Sequence, residues 1–169
     1  NSGSLEPEIL KKYGRPSADA LVESALWNIE QLEEFDFHDY LVAIKSSDVF
    51  TTVEAYRKIA ARTDCPLHLG VTEAGTLRMG TIKSAAAFGA LLADGIGDTL
   101  RVSLTADPVE EVRADQDILR ALGLDREGPP FVSCPTCGRC KVDLFTVASQ
   151  VEEALKDCRK ATKVAVMGC

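Results

Sequence analysis

Three apolar runs of this chain end near a charged residue at one fixed interval, and that recurrence limits the folds open to it. Asp39 to Ile44 ends at Lys45, Pro66 to Val71 ends at Thr72-Glu73, and Thr99 to Leu104 carries Arg101. Lys45, Glu73 and Arg101 stand 28 residues apart. Each run has the length and composition of a buried strand. The stretches between them carry helical spacing. From Ser17, a candidate N-cap, apolar residues fall at 21, 22, 25, 26, 29 and 32. Asp48 caps a second helix with Val49, Val53, Tyr56 and Ile59 on one face. A helix of small residues covers Thr81 to Ala93 and is broken by Gly95-Ile96-Gly97-Asp98. Asp107, Pro108 and Glu110 open a fourth, with the cap, first-turn proline and carboxylate of a capping box, and Gly123 ends it. Asn1 to Pro16, polar and holding Gly3, Gly14 and Pro16, is expected to be a loop.

Alternation of strand and helix is the pattern of parallel βα units. A period of 28 residues is close to one unit of an eight-stranded barrel of ~250 residues. Three units cannot close a barrel, so the expected fold is α/β, the C-terminal part of a TIM-type (β/α)8 barrel. An open doubly wound sheet is the alternative; no G-x-G-x-x-G follows a strand, which disfavours its dinucleotide-binding form. Arg126-Glu127-Gly128-Pro129-Pro130 has the composition of a linker. It separates a first domain, 1–125, from a second, 130–169. The second holds a strand at Phe131-Val132, a thiol-rich loop, a helix from Asp143 to Arg159 and a strand from Lys163 to Met167.

The thiol loop is Ser133-Cys134-Pro135-Thr136-Cys137-Gly138-Arg139-Cys140. Two thiolates separated by two residues can face one soft metal, which gives half of a four-ligand site. Cys169, after the apolar run Val164 to Gly168, is the candidate for the other half. The spacing suits part of a four-iron cluster motif and equally a four-cysteine zinc site. Cys65 and Cys158 are expected to pack as small apolar residues. Six cysteines in 169 residues do not make a disulfide framework and fit a reduced compartment. A net charge of −7 argues against nucleic acid and acidic membranes as partners. The most lipid-like run, Ala85 to Ala93, is far shorter than the ~18 apolar residues of a spanning helix. A chain that starts on Asn1 and stops on a candidate ligand is expected to be a piece of a longer protein. Such a piece, with sheet edges and apolar faces uncovered, is expected to be marginal or oligomeric, and inactive.

In parallel βα folds the chemistry stands at the C-terminal ends of strands. Lys45, Glu73, Arg101 and Ser103 meet that rule. Two cations, a hydroxyl and a carboxylate suit a phosphorylated substrate, with Arg bidentate, Lys a point charge and Glu73 the proton-transfer group. Lys45 and Arg101 as solvated loop charges are the plainer alternative. His68, inside the second strand, has the ordinary position of a satisfied core histidine, and Lys83 that of a solvated lysine.

Several segments together resemble one family: Asn1-Ser2-Gly3-Ser4-Leu5, Lys45-Ser46-Ser47-Asp48, Gly70-Val71-Thr72-Glu73-Ala74-Gly75, Gly80-Thr81-Ile82-Lys83-Ser84, Gly95 to Thr99, Arg101 to Thr105, Ser133 to Arg139 and Val166-Met167-Gly168-Cys169. The family is 4-hydroxy-3-methylbut-2-enyl diphosphate synthase of the non-mevalonate isoprenoid pathway, and the likeness covers its later barrel and the start of its cluster domain. The resemblance implies an iron–sulfur oxidoreductase that opens 2-C-methyl-D-erythritol 2,4-cyclodiphosphate reductively, with loss of water. It implies a [4Fe-4S] cluster on Cys134, Cys137 and Cys169, completed by a glutamate beyond Cys169. It implies ferredoxin or flavodoxin as electron donor. Asn1, Lys45, Arg101 and Ser103 would hold the diphosphate, and Glu73 would transfer the proton. A cytoplasmic or plastid homodimer is implied too. Cys140 departs from the family pattern, which has Thr or a similar residue there. A non-catalytic zinc-binding βα module is the alternative, and a simple electron carrier is disfavoured by the polar strand ends.

Overall fold

The computed structural model describes residues 1–125, 129–156, 158–160 and 163–169. Two compact units divide the chain, Asn1–Ile118 and Leu119–Cys169. The linker expected at 126–130 lies outside the described residues except for Pro129 and Pro130.

The first unit begins with a helix that its polar sequence does not announce. Helix α1 spans Pro7–Tyr13 and buries only Ile9; the stretch expected to be a loop is therefore helical in its middle. Proline in the first turn, Lys11 and Lys12 in the last, and Gly14 at φ 71 after the end supply its local signals. Helix α2, Ala18–Glu34, is capped by Ser17, whose hydroxyl accepts the Ala20 N–H at 3.2 Å. Helix α3, Val49–Ala60, is capped by Asp48, which accepts the Thr51 N–H at 2.7 Å. Helix α4, Leu77–Ala93, starts four residues before the expected Thr81. Helix α5, Pro108–Ala121, begins at the proline. Asp107 accepts the Val109 N–H at 2.9 Å, while Glu110 turns to Arg113 at 2.5 Å and makes an i,i+3 ion pair.

Strand β1, His68–Gly70, pairs in parallel with β2, Thr99–Arg101, in the register His68↔Thr99, Leu69↔Leu100 and Gly70↔Arg101. The run before Lys45 joins them by a parallel bridge, Val42↔Leu67, not by a full strand. Around that bridge Val42 N–H donates to Pro66 O and His68 N–H to Val42 O, both at 2.8 Å. Continued from the bridge, the register sets Ala43, His68 and Thr99 in one row and Lys45, Gly70 and Arg101 in the next. The rows that alternate with these point the other way, and their Val42, Ile44, Leu67, Leu69, Val71 and Val102 are buried. The helices cover that side: α2 packs on α3, α3 on α4, and α4 on β1. Tyr56 of α3, fully buried, ties the layers together: its hydroxyl donates to His68 O and accepts the Ile44 N–H. Burial pushes that phenol far above its ordinary pKa.

The second unit repeats the strand–helix–strand plan in miniature. Strand β3, Phe131–Ser133, pairs in parallel with β4, Val164–Val166. Helix α6, Leu144–Leu155, lies between them in sequence and packs on β4. Asp143 caps it by accepting the Thr146 N–H. The helix stops short of the expected Arg159, and Asp157 lies outside the described residues. Among the described residues no helix is long and apolar enough to cross a membrane.

Candidate functional site

On the face of the strands opposite the buried layer, the row Lys45–Gly70–Arg101 sets two cations either side of a glycine. Lys45 lies over that glycine: a Cβ placed on Gly70 would meet Lys45 Cε at 2.6 Å and Nζ at 2.9 Å. Half-buried there, Lys45 has its pKa lowered, first by desolvation and then by Arg101. One row earlier His68 Nδ1 and Thr99 Oγ1 are 2.8 Å apart. The histidine is held below its ordinary pKa by burial, then by Lys45 and Arg101. It belongs to this polar face and not to the buried layer, which sets aside the expectation of a core histidine.

Arg101 is anchored from α5. Its guanidinium stands 3.4 Å from Glu111, whose other oxygen accepts the Leu104 N–H at 2.8 Å. One turn further on, Asp115 accepts the Val102 N–H at 3.0 Å. Burial raises the Asp115 pKa, and that hydrogen bond opposes the rise. These two carboxylates complete the backbone where β2 ends, and the sequence reading missed them. Their i,i+4 spacing on a helix that follows a strand was the available signal. Ser103, half-buried, lies between the two backbone groups they bind.

Glu73 lies three residues beyond the row, in the loop after β1. Its backbone has φ 52, a left-handed conformation uncommon outside glycine. Its side chain is exposed. The loop is fastened on both sides: Thr72 N–H donates to Ser46 O at 3.2 Å, and Thr105 N–H to Gly75 O at 2.9 Å. The equal spacing of 45, 73 and 101 is thus no register: Arg101 pairs with Gly70, and the Val42↔Leu67 bridge, continued, sets Lys45 level with the same glycine. Asn1 reaches the same end of the unit, because Ser2 N–H donates to Lys45 O at 2.9 Å and Ser4 N–H closes a turn on Asn1 O at 3.0 Å. Asn1 also lines a cleft of about 210 Å³ with Leu21, Asn28, Tyr40 and Ile44. At the opposite end of the first strands Cys65 accepts from Thr63 Oγ1 at 2.9 Å and contacts the Tyr40 hydroxyl at 3.6 Å. The thiol and burial push the Tyr40 phenol up to about 12.

In the second unit the paired strands bring the thiol segments together. Ser133 is in register with Val166, so Cys134 and Cys169 follow the same ends of neighbouring strands. Cys134 N–H donates to Val166 O at 3.1 Å, and Lys141 N–H to Gly168 O at 2.9 Å. Within the loop Cys140 N–H donates to Cys137 O at 2.9 Å, and the Cys140 thiol to Val142 O at 3.3 Å. Cys137 and Cys169 are exposed, Cys134 and Cys140 half-buried. Hydrogen bonds from Arg139, backbone first, lower the Cys137 pKa. Among the described residues no three histidine, cysteine or acidic side chains converge as a metal-binding group. The donor chemistry nevertheless suits a soft metal: thiols on two segments that the β3–β4 pairing holds side by side.

Residues 1–116 match the family description "GcpE TIM-barrel domain", and residues 130–169 match "GcpE protein C-terminal domain". A protein of Clostridium perfringens named 4-hydroxy-3-methylbut-2-en-1-yl diphosphate synthase (flavodoxin) is 59% identical over 169 residues, which is 100% of this chain and 48% of that protein. Proteins of the same name are 60% identical in Fusobacterium nucleatum, with 48% of the relative covered, and 54% identical in Bacillus subtilis, with 45% covered; both alignments take in all of this chain. The chain spans about half the length of these curated relatives. A description that matches 116 of the 169 residues, with relatives this similar along the whole chain, places the chain in the GcpE family.

Proposed function

We propose that this chain forms the substrate-holding later part of a (β/α)8 barrel, within 1–125, and the start of a smaller α/β iron–sulfur domain, within 130–169. The enzyme it serves would reductively open and dehydrate 2-C-methyl-D-erythritol 2,4-cyclodiphosphate to 4-hydroxy-3-methylbut-2-enyl diphosphate, in isoprenoid biosynthesis. The observation that carries this reading is the row Lys45–Gly70–Arg101, two cations on one polar face at the ends of parallel strands. The name of the relatives, which ends on a diphosphate ester, supports it. A non-catalytic zinc module gives those cations and the left-handed Glu73 no task.

In this reading Arg101, braced by Glu111, grips diphosphate oxygens with its planar fork, and Lys45 adds a point charge beside it. Ser103 and Asn1 supply neutral hydrogen bonds at the same rim. Glu73, held out of the strand by its loop, accepts or relays the proton that accompanies loss of water. Cys134, Cys137 and Cys169 would hold a [4Fe-4S] cluster, which when bound supplies electrons one at a time. Flavodoxin, named in the relatives, is the proposed donor, with ferredoxin as the alternative. A homodimer in the bacterial cytoplasm or a plastid completes the proposal.

The test is Glu73→Gln in the complete protein that carries this chain. Glutamine keeps the size and hydrogen-bonding reach and removes the exchangeable proton. With a strong one-electron donor and cluster content checked, turnover falls by roughly 10²–10⁴-fold while substrate affinity changes little. Wild-type turnover in the Gln variant removes Glu73 from the mechanism.

A further inference from the structure

We propose that Gly70 is a positioning residue of the anion site: the missing side chain at the centre of the row lets Lys45 lie across β1 beside Arg101. The inference rests on the reading of this rim as a diphosphate site and adds a determinant to it.

The backbone does not ask for glycine at residue 70. Among the described residues the glycines with positive φ are Gly14, Gly75, Gly95, Gly97 and Gly123; Gly70 has no such angle, so any L-residue could take its conformation. Glycine inside a strand weakens it and marks a close approach. What approaches here is one side chain. The three atoms nearest to a Cβ built on Gly70 are Lys45 Cε at 2.6 Å, Nζ at 2.9 Å and Cδ at 3.0 Å. They are the far end of a flexible chain, so an added methyl group moves the ammonium and leaves the strand in place. Gly70 is the register partner of Arg101, so the space that Lys45 fills adjoins the base of the arginine. Residue 70 therefore sets how close the two cations stand. A compact dianionic group with oxygens on adjacent phosphorus atoms is the ligand that such a pair suits.

The experiment uses the complete protein and inorganic pyrophosphate, with binding measured by calorimetry and KM and kcat measured for the cyclic diphosphate. Gly70→Ala is expected to weaken pyrophosphate binding by about tenfold, the size of one charge-assisted hydrogen bond. KM rises more than kcat falls, and the melting temperature is unchanged. In a Lys45→Ala background, Gly70→Ala adds nothing, because the glycine acts only through the lysine. Wild-type binding by Gly70→Ala, or losses that add in the double variant, overturns the proposal. If Lys45→Ala alone leaves pyrophosphate binding intact, the diphosphate site itself is wrong and the role of Gly70 falls with it. If Gly70→Ala lowers the melting temperature, adding Lys45→Ala restores it, since the nearest atoms belong to that side chain; failure to restore it also overturns the proposal.

Discussion

In Asn1–Ile118 the parallel strands rest on helices through a wholly buried layer that includes Leu21, Ile44, Tyr56, Ile59, Leu69, Phe88 and Leu91. In Leu119–Cys169 the buried apolar side chains among the described residues are Leu144 and Val166. Both units connect two parallel three-residue strands through a helix. The first has a continuous buried apolar cluster beneath its strands. The second does not, and modules of about 40 residues ordinarily need a metal, disulfides or a partner. The contrast teaches that the polar groups serve different ends in the two units. At the first rim, cations stand on a frame made rigid by burial. In the thiol loop, a metal held by the thiols, as proposed, would itself be a source of cohesion.

The sharpest way to break this comparison is to remove the thiols. In the complete protein, Cys134→Ser or Cys137→Ser is expected to abolish bound iron and the visible absorption of the cluster, while Cys140→Ser keeps both. Iron and sulfide analysis of anaerobically prepared protein decides it, and full iron in either of the first two variants sinks the assignment. Proteolysis within 130–169 should rise with the loss of iron, because metal binding and folding are coupled in small modules.

The converse experiment weakens the first unit alone. Tyr56→Phe leaves the buried Ile44 N–H without its acceptor and His68 O without its donor. A lost partner for a buried backbone group costs about 1–3 kcal/mol. Urea unfolding followed by fluorescence that includes Trp27, the single tryptophan of these 169 residues, should show that loss. Iron content should stay the same. Iron that falls in step with the stability would mean that the two units are not held independently.

The smallest expected effect is a pH dependence confined to the first unit. The folded-state pKa of His68 lies below its ordinary 6.5, through burial first and then through Lys45 and Arg101. In the window below 6.5 the unfolded chain therefore binds more protons at this site than the folded one. Stability rises with pH through that window and is lost as pH falls, the sign opposite to that of a histidine with an acidic partner. The group is only half-buried, so solvent screening keeps the effect small. Melting temperatures between about pH 5 and 7 should slope upward in the wild type and less so in His68→Gln. Equal slopes would remove His68 from the balance.

Much of the local structure was legible in the sequence. Ser17 and Asp48 announced their helices because a side-chain acceptor before an apolar face with a 3.6-residue period is a local device. The apolar runs at 66–71, 99–104 and 131–132 announced strands, and their alternation with helices announced parallel pairing. Helix α1 was not legible, since a short polar segment that buries one side chain has almost no periodic signal. The candidate residues were found one at a time, from their places at strand ends. Their neighbours were not.

By itself the sequence determined the element types, the parallel α/β plan and the two thiol-bearing segments, because caps, periodicity and composition act over a few residues. Only the tertiary structure decided which residue stands beside which. The equal intervals between Lys45, Glu73 and Arg101 suggested one level, yet Val42 bridges Leu67, and the row became Lys45, Gly70 and Arg101. Register follows from which side chains must be buried against α3 and α4, here Val42, Ile44, Leu67 and Leu69, and not from counting residues between charges. The same packing laid Lys45 over Gly70, turned Glu111 and Asp115 of α5 to the end of β2, and left Glu73 on a left-handed turn beyond the strand. Those are contacts between distant parts of the chain, and they exist only once the buried layer has fixed the strands.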